Sequence, residues 1–316
     1  MRIFIAGATG VVGQRLVRLL AQRGHEVVGT TRTPTKADQL RSAGATPVVL
    51  DLLDRESVLQ AVAQAKPEVI IHEATALGEA FDLRHFDEYF GATNQLRTEG
   101  TDHLLAAAQA SGVRRLVVQS YAGWPSARTG AAVTTEADPL DEHPARNAAR
   151  TLAAIKHVER VTMAAPVEGV VLRYGGLYGP GNGLGRENGR DGETLVLVRK
   201  GRFPVVGGGH GIWSFLHIDD AASATVLAAE SAVQGIFNIV DDEPAEVRTW
   251  LPYLAETVGG RRPLSLPAWL ARPLVGEQGI AMMTRVRGAS NAKARAELGW
   301  VPRYASWREG FRTGLG

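Results

Sequence analysis

The 316-residue chain contains no cysteine, which excludes disulfide bonds, thiol catalysis and thiolate metal sites together. It has no apolar run of about 20 residues, the length that a membrane-spanning helix needs. Its 35 Lys and Arg nearly balance 33 Asp and Glu, and the net charge of +2 favours neither nucleic acid nor a membrane surface as a partner. Met1 and Arg2 lead directly into an apolar strand, so we expect no signal peptide. These features predict a cytoplasmic protein that handles a small molecule, with no metal site.

A glycine-rich turn between a strand and a helix is the most informative motif. The turn follows the apolar run Ile3–Ala6 and precedes residues with helical spacing at 15–20. Gly7 allows a tight turn, Gly10 lets the backbone approach a pyrophosphate, and Gly13 lets the helix pack close to the strand. The helix N-terminus adds unpaired N–H groups and a positive dipole end. The motif predicts a dinucleotide cradle formed by Gly7, Thr9, Gly10, Val11, Val12 and Gly13.

Six apolar segments, separated by helical segments, predict the fold. The predicted strands are Ile3–Ala6, Glu26–Thr30, Thr46–Leu50, Glu68–His72, Arg115–Gln119 and Gly169–Arg173. Strands this apolar indicate a parallel sheet that is covered by helices on both faces. We therefore predict an α/β protein with a doubly wound Rossmann sheet, whose ligands bind at the carboxyl ends of the strands.

The helical segments and a change of composition predict the domain organisation. A long helix is expected between about Phe81 and Ala110, broken near Gly91. After Gly175, glycine, proline and tryptophan become more frequent. We predict a dinucleotide-binding domain at residues 1–175 and a smaller substrate lobe at 176–316, interleaved with the last strands of the sheet.

Further motifs follow the glycine turn in order along nearly the whole chain. They are Asp51-Leu52, Gly112–Arg115, Leu172–Tyr174, Tyr178–Gly181, Phe215–Asp220 and the tail Asn291–Trp300. Together they resemble the short-chain dehydrogenase/reductase superfamily, in its extended, epimerase-like branch. The resemblance implies a Rossmann fold, a nicotinamide cofactor and hydride-transfer chemistry.

The end of the second strand bears on the choice of cofactor. NAD enzymes of this fold usually have an acidic residue there, which binds the ribose hydroxyls. This chain has Thr30-Thr31-Arg32-Thr33 instead, with Lys36 nearby. An acid would repel a ribose 2′-phosphate, whereas a guanidinium can hold it through two parallel hydrogen bonds. We predict NADP(H) rather than NAD(H), with Arg32 as the main determinant; the alternative is a solvated arginine in a loop.

The resemblance implies further cofactor contacts. Asp51 would meet the adenine amino group beside the backbone of Leu52, although an N-cap or turn acid is an equal alternative. Glu73 begins the loop that continues with Ala74 and Thr75 past the cofactor ribose. It could bind ribose hydroxyls or pair with Arg97. Gln119 and Ser120 after the fifth strand and Tyr174 after the sixth complete the implied cofactor contacts.

The family's usual proton relay is missing. That relay is a tyrosine acid or base with a lysine four residues later, which lowers the tyrosine pKa. On the helix that should carry the pair, the two positions hold Thr151 and Ile155, and no Tyr with Lys four residues later occurs anywhere. Lys156 is one position off, which turns it about 100° around the helix. The chain therefore resembles an atypical member.

Three hydroxyl groups remain as catalytic candidates. Ser120 occupies the neighbourhood of the family's substrate-orienting hydroxyl. Tyr121 is a candidate for a displaced proton donor, and Tyr178 after the sixth strand is expected to face the same region. The alternative for each tyrosine is packing beside the cofactor ring.

Aromatic residues bear on the substrate. Nucleotide-sugar enzymes of the extended branch typically carry an arginine where this chain has Trp213, two residues before Phe215. With Trp124 also expected near the mouth, and Tyr178 beside them, we predict a pocket for a less charged, partly apolar molecule.

Three functions are compatible with these residues. The first is an NADP(H)-dependent oxidoreductase that transfers hydride to or from a small carbonyl-type substrate. The second is a nucleotide-sugar epimerase or dehydratase, which Trp213 and the missing relay disfavour. The third is a non-catalytic NADP(H)-binding regulator, which needs no general base. By analogy with the family, a homodimer could form through helices at about 92–110 and 144–163.

Overall fold

The computed structural model describes residues 1–77 and 83–316. The strands are β1 Arg2–Ala6, β2 Glu26–Thr31, β3 Ala45–Val49, β4 Val69–His72, β5 Arg115–Tyr121, β6 Val133–Thr134, β7 Glu168–Tyr174, β8 Gly176–Tyr178, β9 Arg186–Glu187, β10 Arg190–Asp191, β11 Val205–Val206, β12 Ile212–Trp213, β13 Phe215–His217, β14 Gly235–Ile239, β15 Ala245–Glu246, β16 Ser265–Leu266 and β17 Gly288–Ala289. The helices are α1 Val11–Gln22, α2 Ala37–Ser42, α3 Arg55–Ala65, α4 Phe86–Tyr89, α5 Gly91–Gln95, α6 Thr101–Ala110, α7 Ala149–Ala164, α8 Glu193–Arg199, α9 Ile218–Glu230, α10 Val247–Thr257, α11 Ala268–Thr284, α12 Ala292–Glu297 and α13 Trp307–Thr313.

Seven parallel strands form the central sheet, in the spatial order β14-β7-β5-β4-β1-β2-β3. The central strand β4 is buried along its whole length, as expected for a sheet with helices on both faces. One apolar core lies under α1 and α9 and includes Leu16 and Ala224. A second lies under α3, α6 and α7 and includes Val58 and Leu104. This architecture confirms the predicted doubly wound α/β fold.

The region predicted as a long helix broken near Gly91 has its break at that place. Phe81, its predicted start, lies outside the described residues. In the described part, α4 and α5 are separate, and α5 continues into α6 through a π-helical turn at Leu96–Gly100. A π turn holds one more residue than an α turn, and such turns are frequent at functional sites. Here the turn contains Arg97, a buried arginine.

The second half of the chain contributes to both parts of the molecule. Strand β14 joins the central sheet beside β7, and α9 packs on α1. A third apolar core, which includes Phe215, Trp250 and Phe311, lies outside the sheet. The interleaving expected after residue 175 is thus visible, while the division at that point stays a prediction. Among the described residues, no helix combines the length and the apolar character needed to cross a membrane.

Candidate active site

A cleft of about 2470 Å³ opens at the carboxyl ends of the central strands. The predicted site residues that line it are Gly7, Thr9, Gly10, Val11, Val12, Gly13, Arg32, Leu52, Glu73, Ala74, Thr75, Gln119, Tyr121 and Trp213. Those that do not line it are Asp51, Ser120, Trp124, Tyr174 and Tyr178.

The glycine turn has the geometry of a phosphate cradle. Gly7 has a φ of +89°, and a Cβ on it would lie 2.6 Å from the Ala74 nitrogen. A Cβ on Gly13 would overlap the Gly7 carbonyl oxygen. The Gly7 N–H donates to the Thr30 hydroxyl at 3.2 Å, which ties the turn to the end of β2. Both glycines are therefore required by close backbone approach.

The backbone N–H groups in the first turn of α1 face the cleft. Gly10 is the N-cap, and no side chain caps the helix. The first N–H groups of a helix have no partner within the helix, so those of Val11, Val12 and Gly13 face the cradle without an intrahelical acceptor. With the positive end of the dipole, they fit a pyrophosphate.

Three exposed cations lie at the end of the cleft beside β2. Arg32 and Lys36 follow β2, and Arg18 projects from α1. None of the three side chains has a hydrogen bond or ion pair within residues 1–77 and 83–316. Arg15, in contrast, donates to Asp219 at 2.5 Å. The chain thus holds three cations here whose charge no described residue neutralises.

Asp51 and Leu52 have different surroundings. Leu52 is buried and lines the cleft. Asp51 is exposed, and its Oδ1 accepts from the Leu53 N–H at 3.0 Å. This hydrogen bond is what the alternative role of Asp51, an acid in a turn, requires. The contact of Asp51 with adenine stays a prediction.

Glu73 is hydrogen-bonded to Tyr174 and not to Arg97, while its contact with ribose hydroxyls stays a prediction. The Tyr174 hydroxyl lies 2.7 Å from Oε1 of Glu73 and forms a second, short hydrogen bond with the Thr225 hydroxyl. Burial raises the pKa of the Glu73 carboxyl to about 8. Arg97 has no ion pair with Glu73. Tyr174 is 1% exposed and reaches the cleft only through Glu73, so its predicted direct contact with the cofactor is not supported.

Arg97 is a buried arginine close enough to Tyr121 for its charge to affect the pKa of that phenol. The sequence indicated Arg97 only as an alternative partner of Glu73. Its Nε and Nη1 are buried without a hydrogen-bond partner, and its guanidinium carbon lies 5.8 Å from the centroid of the Phe90 ring. Burial raises the pKa of Tyr121 to about 12, while the charge of Arg97 acts in the opposite direction. Burial likewise lowers the pKa of Arg97 to about 10. Tyr121 therefore keeps its proton at neutral pH and is a hydrogen-bond donor at the cleft.

Ser120 is held away from the cleft by a buried ion pair. Its hydroxyl donates to Oε1 of Glu159 at 2.7 Å, and Arg173 donates to both oxygens of the same carboxylate at 2.8 and 2.7 Å. Successive side chains of a strand point to opposite faces. Tyr121 therefore faces the cleft, whereas Ser120 lies under α7. The expectation that Ser120 orients a substrate is corrected on this ground.

Helix α7 carries no proton relay in the structure. Thr151 and Ile155 are both fully buried. The Thr151 hydroxyl donates to Oδ1 of Asp87 at 2.6 Å, which fixes the N-terminus of α7. Lys156 points elsewhere and donates to the carbonyl of Asp141 at 2.7 Å.

Two predicted substrate contacts are wrong. Tyr178 is fully buried in the third core, where its ring lies 5.2 Å from that of Phe311. Strand β8 pairs with β13 and carries the side chain into this core. Trp124 is 7% exposed and packs edge-on against Phe86 at 5.2 Å. The alternative for Tyr178, packing beside the cofactor ring, is not seen either, because Tyr178 does not line the cleft.

Trp213 does line the cleft and forms part of an apolar wall. Its indole donates to the carbonyl of Met282 at 2.8 Å, and its ring lies 4.9 Å from that of Trp250. Further apolar side chains at this end are Leu83, Phe90, Phe203, Leu274, Val275 and Met283. The cleft thus has a cationic end beside β2 and an apolar end beside Trp213.

Comparison with known proteins shows the family of this chain. The model of the NAD dependent epimerase/dehydratase family matches residues 3–239. The chain belongs to this family. The match confirms the resemblance to the extended short-chain dehydrogenase/reductases. It also supports a nicotinamide cofactor for this chain.

Two relatives of this epimerase/dehydratase-family protein are named as reductases. A 3-diazoavenalumate denitrifying reductase of a Streptomyces species is 45% identical over 312 residues, covering 98% of this chain and 99% of that protein. A 2-alkyl-3-oxoalkanoate reductase of Stenotrophomonas maltophilia is 31% identical over 278 residues, covering 83% of this chain and 77% of that protein. These likenesses support an oxidoreductase.

Among solved structures, the human epimerase family protein SDR39U1, crystallised with NADPH, has a TM-score of 0.74. The two chains are 22% identical, and the likeness covers 100% of this chain and 99% of the human one. At this identity the likeness shows the fold.

Proposed function

We propose that this protein is an NADP(H)-dependent oxidoreductase that transfers hydride to or from a small, partly apolar carbonyl-type substrate. The observation that carries the proposal is the group of three unpaired cations, Arg18, Arg32 and Lys36, at the adenosine end of a glycine-cradled cleft. A ribose 2′-phosphate is the part of NADP that distinguishes it from NAD, and a cluster of cations is suited to it.

The residues present fit the cofactor along its length. Gly7, Gly10 and Gly13 have no Cβ, and the backbone can therefore come close to a bound pyrophosphate. Leu52 offers an apolar surface to an adenine ring. Gln119, on β5, lines the cleft on the other side of β1 from the cations that follow β2. When bound, NADPH supplies hydride, which is chemistry that belongs to the cofactor and needs no tyrosine–lysine pair.

The substrate end favours an apolar molecule with one polar oxygen. The wall that contains Trp213 provides apolar surface, and Tyr121 provides a hydroxyl donor. Behind it, Arg97 places a buried positive charge that no described residue neutralises. We infer that Tyr121 and Arg97 together stabilise negative charge on the substrate oxygen as hydride is transferred.

The relatives suggest the substrates with which to begin. Their names include a 2-alkyl-3-oxoalkanoate and 3-diazoavenalumate. We therefore suggest a screen that follows NADPH absorbance with 3-oxoacids, aryl ketones and aromatic diazo acids, alongside calorimetry of NADPH and NADH. Oxidation of NADPH by at least one class supports the proposal. Binding of NADPH without turnover of any class would favour the regulator, and no uptake of either coenzyme would overturn both.

Tyr121 provides a sharper test once a substrate is found. Replacing Tyr121 with Phe removes one donor to the substrate oxygen and keeps the ring in the apolar wall. We expect kcat/KM to fall about tenfold, the effect of one hydrogen bond of about 1.4 kcal/mol. An unchanged kcat/KM would show that the Tyr121 hydroxyl does not donate to the substrate oxygen.

A further inference from the structure

The first two turns of helix α11 present an apolar face to solvent. Trp269 is 76% exposed, Leu270 47% and Leu274 62%. With Pro273, these residues occupy positions i, i+1, i+4 and i+5, which lie on one side of an α-helix. Ala271, on the opposite side, is fully buried. The helix therefore turns its large apolar residues outward, which is the reverse of an ordinary surface helix.

A kink at Gly276 separates this face from the part of α11 that is anchored in the protein. Gly276 has a φ of +65°, so the helix changes direction between its first part, 268–275, and its second part. In the second part Gln278 is buried, and its N–H donates to Oδ1 of Asn147 at 3.1 Å. Among the buried residues of the helix, only Ala271 precedes the kink.

Exposed cations accompany the apolar face. Residues 257–276 include three arginines and no Asp or Glu. All three, Arg261, Arg262 and Arg272, are exposed, and none forms a side-chain hydrogen bond or ion pair with a residue that the structure describes. Leu264, which follows the first two, is exposed as well. The small net charge of the whole chain therefore conceals a local excess of positive charge.

A hollow beside Trp269 adds a fourth cation to this surface. Its lining includes Arg272, Arg285 and one carboxylate, that of Glu277. Arg285 is exposed. The Glu277 carboxylate accepts from the Arg146 N–H at 3.2 Å and forms no ion pair within the described part of the chain. The positive charges at this border of the face thus stay unneutralised.

The apolar face reaches the mouth of the cleft. Leu274 lines the cleft and is also part of the outer surface, and the same holds for Leu197 on α8. Arg202, which is exposed, lines the cleft too. A surface that covers the first part of α11 would therefore also lie beside the apolar end of the cleft.

We propose that the first part of α11 docks on an anionic lipid bilayer, with its apolar side chains among the headgroups and its arginines on the lipid phosphates. A helix with Trp and Leu on one side and Arg at the borders is suited to lie in the plane of a bilayer surface. Anionic lipids complement the unpaired cations, each of which contributes to the attraction. This proposal differs from the expectation drawn from the net charge, because the charges are clustered.

A second copy of this chain matches the face less well. A two-fold interface brings the same patch of both copies together, so cations would lie against cations. A bilayer instead places the mouth of the cleft at the lipid, where an apolar substrate can enter directly. This consequence rests on the proposed function, whereas the docking itself does not.

Co-sedimentation with vesicles tests the docking on the whole chain, without cofactor or substrate. Vesicles of phosphatidylglycerol and phosphatidylcholine in equal parts should bind the protein, and binding should weaken as the salt concentration rises. Vesicles of phosphatidylcholine alone should bind it more weakly. Absence of binding to the anionic vesicles at low salt overturns the proposal.

Trp269 provides a readout at the face itself. It is exposed, whereas the other five tryptophans, all within the described residues, are buried or partly buried. We expect the tryptophan emission to shift to shorter wavelength when anionic vesicles are added, because Trp269 leaves water. Trp269→Phe keeps an aromatic ring on the face and should lose this shift. Vesicle binding without a shift in the wild type would overturn the docking through α11.

A matched pair of substitutions tests the apolar contact. Leu270→Ser removes an apolar side chain from the face, and Val301→Ser removes an exposed one that lies outside it. We expect Leu270→Ser to weaken the affinity for anionic vesicles about tenfold, the effect of burying one such side chain. Val301→Ser should leave the affinity unchanged. Equal affinities of the two variants would contradict the proposal.

A second pair tests the charges. Arg262→Gln should weaken the affinity for anionic vesicles about fivefold, the effect of about 1 kcal/mol per arginine near the surface. Arg55→Gln changes the net charge equally at an exposed position on α3 and should have no effect. If the two variants behave alike, the cations beside α11 do not bind lipid, and the proposal is wrong.

Sedimentation velocity without lipid tests the other occupant of the face. A dimer that Leu270→Glu abolishes, in a protein that binds no vesicles, would assign the face to a second copy and overturn the proposal. Trp269, Leu270 and Arg262 do not line the cleft, so their variants should bind NADPH as the wild type does. Failure of the wild type to bind NADPH would overturn the proposed function, whereas the vesicle measurements would still decide the docking.

Discussion

At the scale of single residues, Arg32 carries the choice of cofactor. Its guanidinium is exposed at the end of β2 and has no ion pair with a described residue. Arg32→Asp removes the charge-assisted hydrogen bonds to a 2′-phosphate and adds repulsion. Since such bonds contribute about 1.5–3 kcal/mol, we expect the ratio of NADPH to NADH affinity to fall by roughly 10- to 100-fold. Isothermal titration of both coenzymes measures this ratio.

Arg202→Asp is the control for that experiment. Arg202 is also exposed, lines the same cleft and follows α8 rather than β2. Its substitution changes the net charge equally and should leave the affinity ratio unchanged. If the two variants behave alike, Arg32 is only a solvated arginine.

Arg97 and Arg115 are both buried arginines, and they should respond to substitution in opposite ways. Arg115 donates to two carbonyls, at 3.1 and 2.7 Å, and to Glu168 at 2.7 Å. Arg97 leaves Nε and Nη1 unpaired. Removing an uncompensated buried charge is neutral or stabilising, whereas breaking a buried pair costs about 3–5 kcal/mol.

We therefore expect Arg97→Met to keep or raise the free energy of unfolding by about 1 kcal/mol while kcat/KM falls. Arg115→Met should lower the free energy of unfolding by about 3 kcal/mol. Urea denaturation measures both variants. A large loss of stability in Arg97→Met would show that Arg97 is a structural residue.

At this scale the sequence predicts the backbone site better than the side chains. The cradle glycines and Arg32 lie where the strand–turn–helix pattern puts them, because their positions depend on local geometry. Ser120 and Tyr178 do not, because their directions depend on partners distant in the sequence. Ser120 is bound to Glu159, and Tyr178 follows β8 into the third core. The bond between Glu73 and Tyr174 joins residues 101 positions apart, and no local pattern indicates it.

At the scale of elements, the contact between α1 and the glycine turn determines whether the cradle exists. A Cβ on Gly13 would overlap the Gly7 carbonyl, which is backbone and cannot move aside. We expect Gly13→Ala to push α1 away from β1, to lower the melting temperature by several degrees and to abolish NADPH binding. Differential scanning fluorimetry with and without NADPH measures both effects.

Gly91→Ala is the matched control for Gly13→Ala. Gly91 begins α5, has ordinary helical geometry and would meet nothing within 4 Å of an added Cβ. Alanine in a helix is favoured over glycine by up to about 1 kcal/mol, so this variant should be as stable as the wild type or more stable. Retained NADPH binding in Gly13→Ala would contradict the close-approach explanation.

The elements themselves were predictable where the hydrophobic pattern is strong. The six predicted strands are confirmed, with ends that differ by one or two residues. In its described part, the long helix predicted between about residues 81 and 110 and broken near Gly91 is seen as α4, a break, and an unbroken helical run over 91–110 that includes one π turn. A π turn at Leu96–Gly100 depends on the packing that places Arg97 inward, which periodicity does not reveal. The prediction of a break near Gly91 is confirmed by the junction of α4 and α5 at Phe90.

At the scale of the whole molecule, the two halves of the chain share one sheet and one series of buried hydrogen bonds that ends at Glu73. Strand β14 and helix α9 come from the second half, and α9 supplies Thr225 beneath Glu73. The state of Glu73 thus depends on the folding of both halves, which links it to the stability of the protein. The predicted homodimer through helices at about 92–110 and 144–163 stays a prediction.

This link predicts how stability varies with pH. Burial raises the pKa of Glu73 in the folded protein to about 8 from its ordinary value of 4.5, so the folded protein holds a proton that the unfolded chain releases between these values. Its contribution to stability is fully present below pH 4.5 and is lost as the pH rises to about 8. His72, with its pKa lowered to about 4, acts in the opposite direction between pH 4 and 6.5.

Between pH 6.5 and 8, therefore, Glu73 changes stability without an opposing change from His72. Over these 1.5 units we expect the free energy of unfolding of the wild type to fall relative to Glu73→Gln by about 2 kcal/mol. Urea denaturation of both proteins at half-unit steps of pH measures the difference, and other titrating groups cancel because both proteins share them. A difference that stays constant from pH 6.5 to 8 would mean that Glu73 is already ionised in the folded protein at pH 6.5.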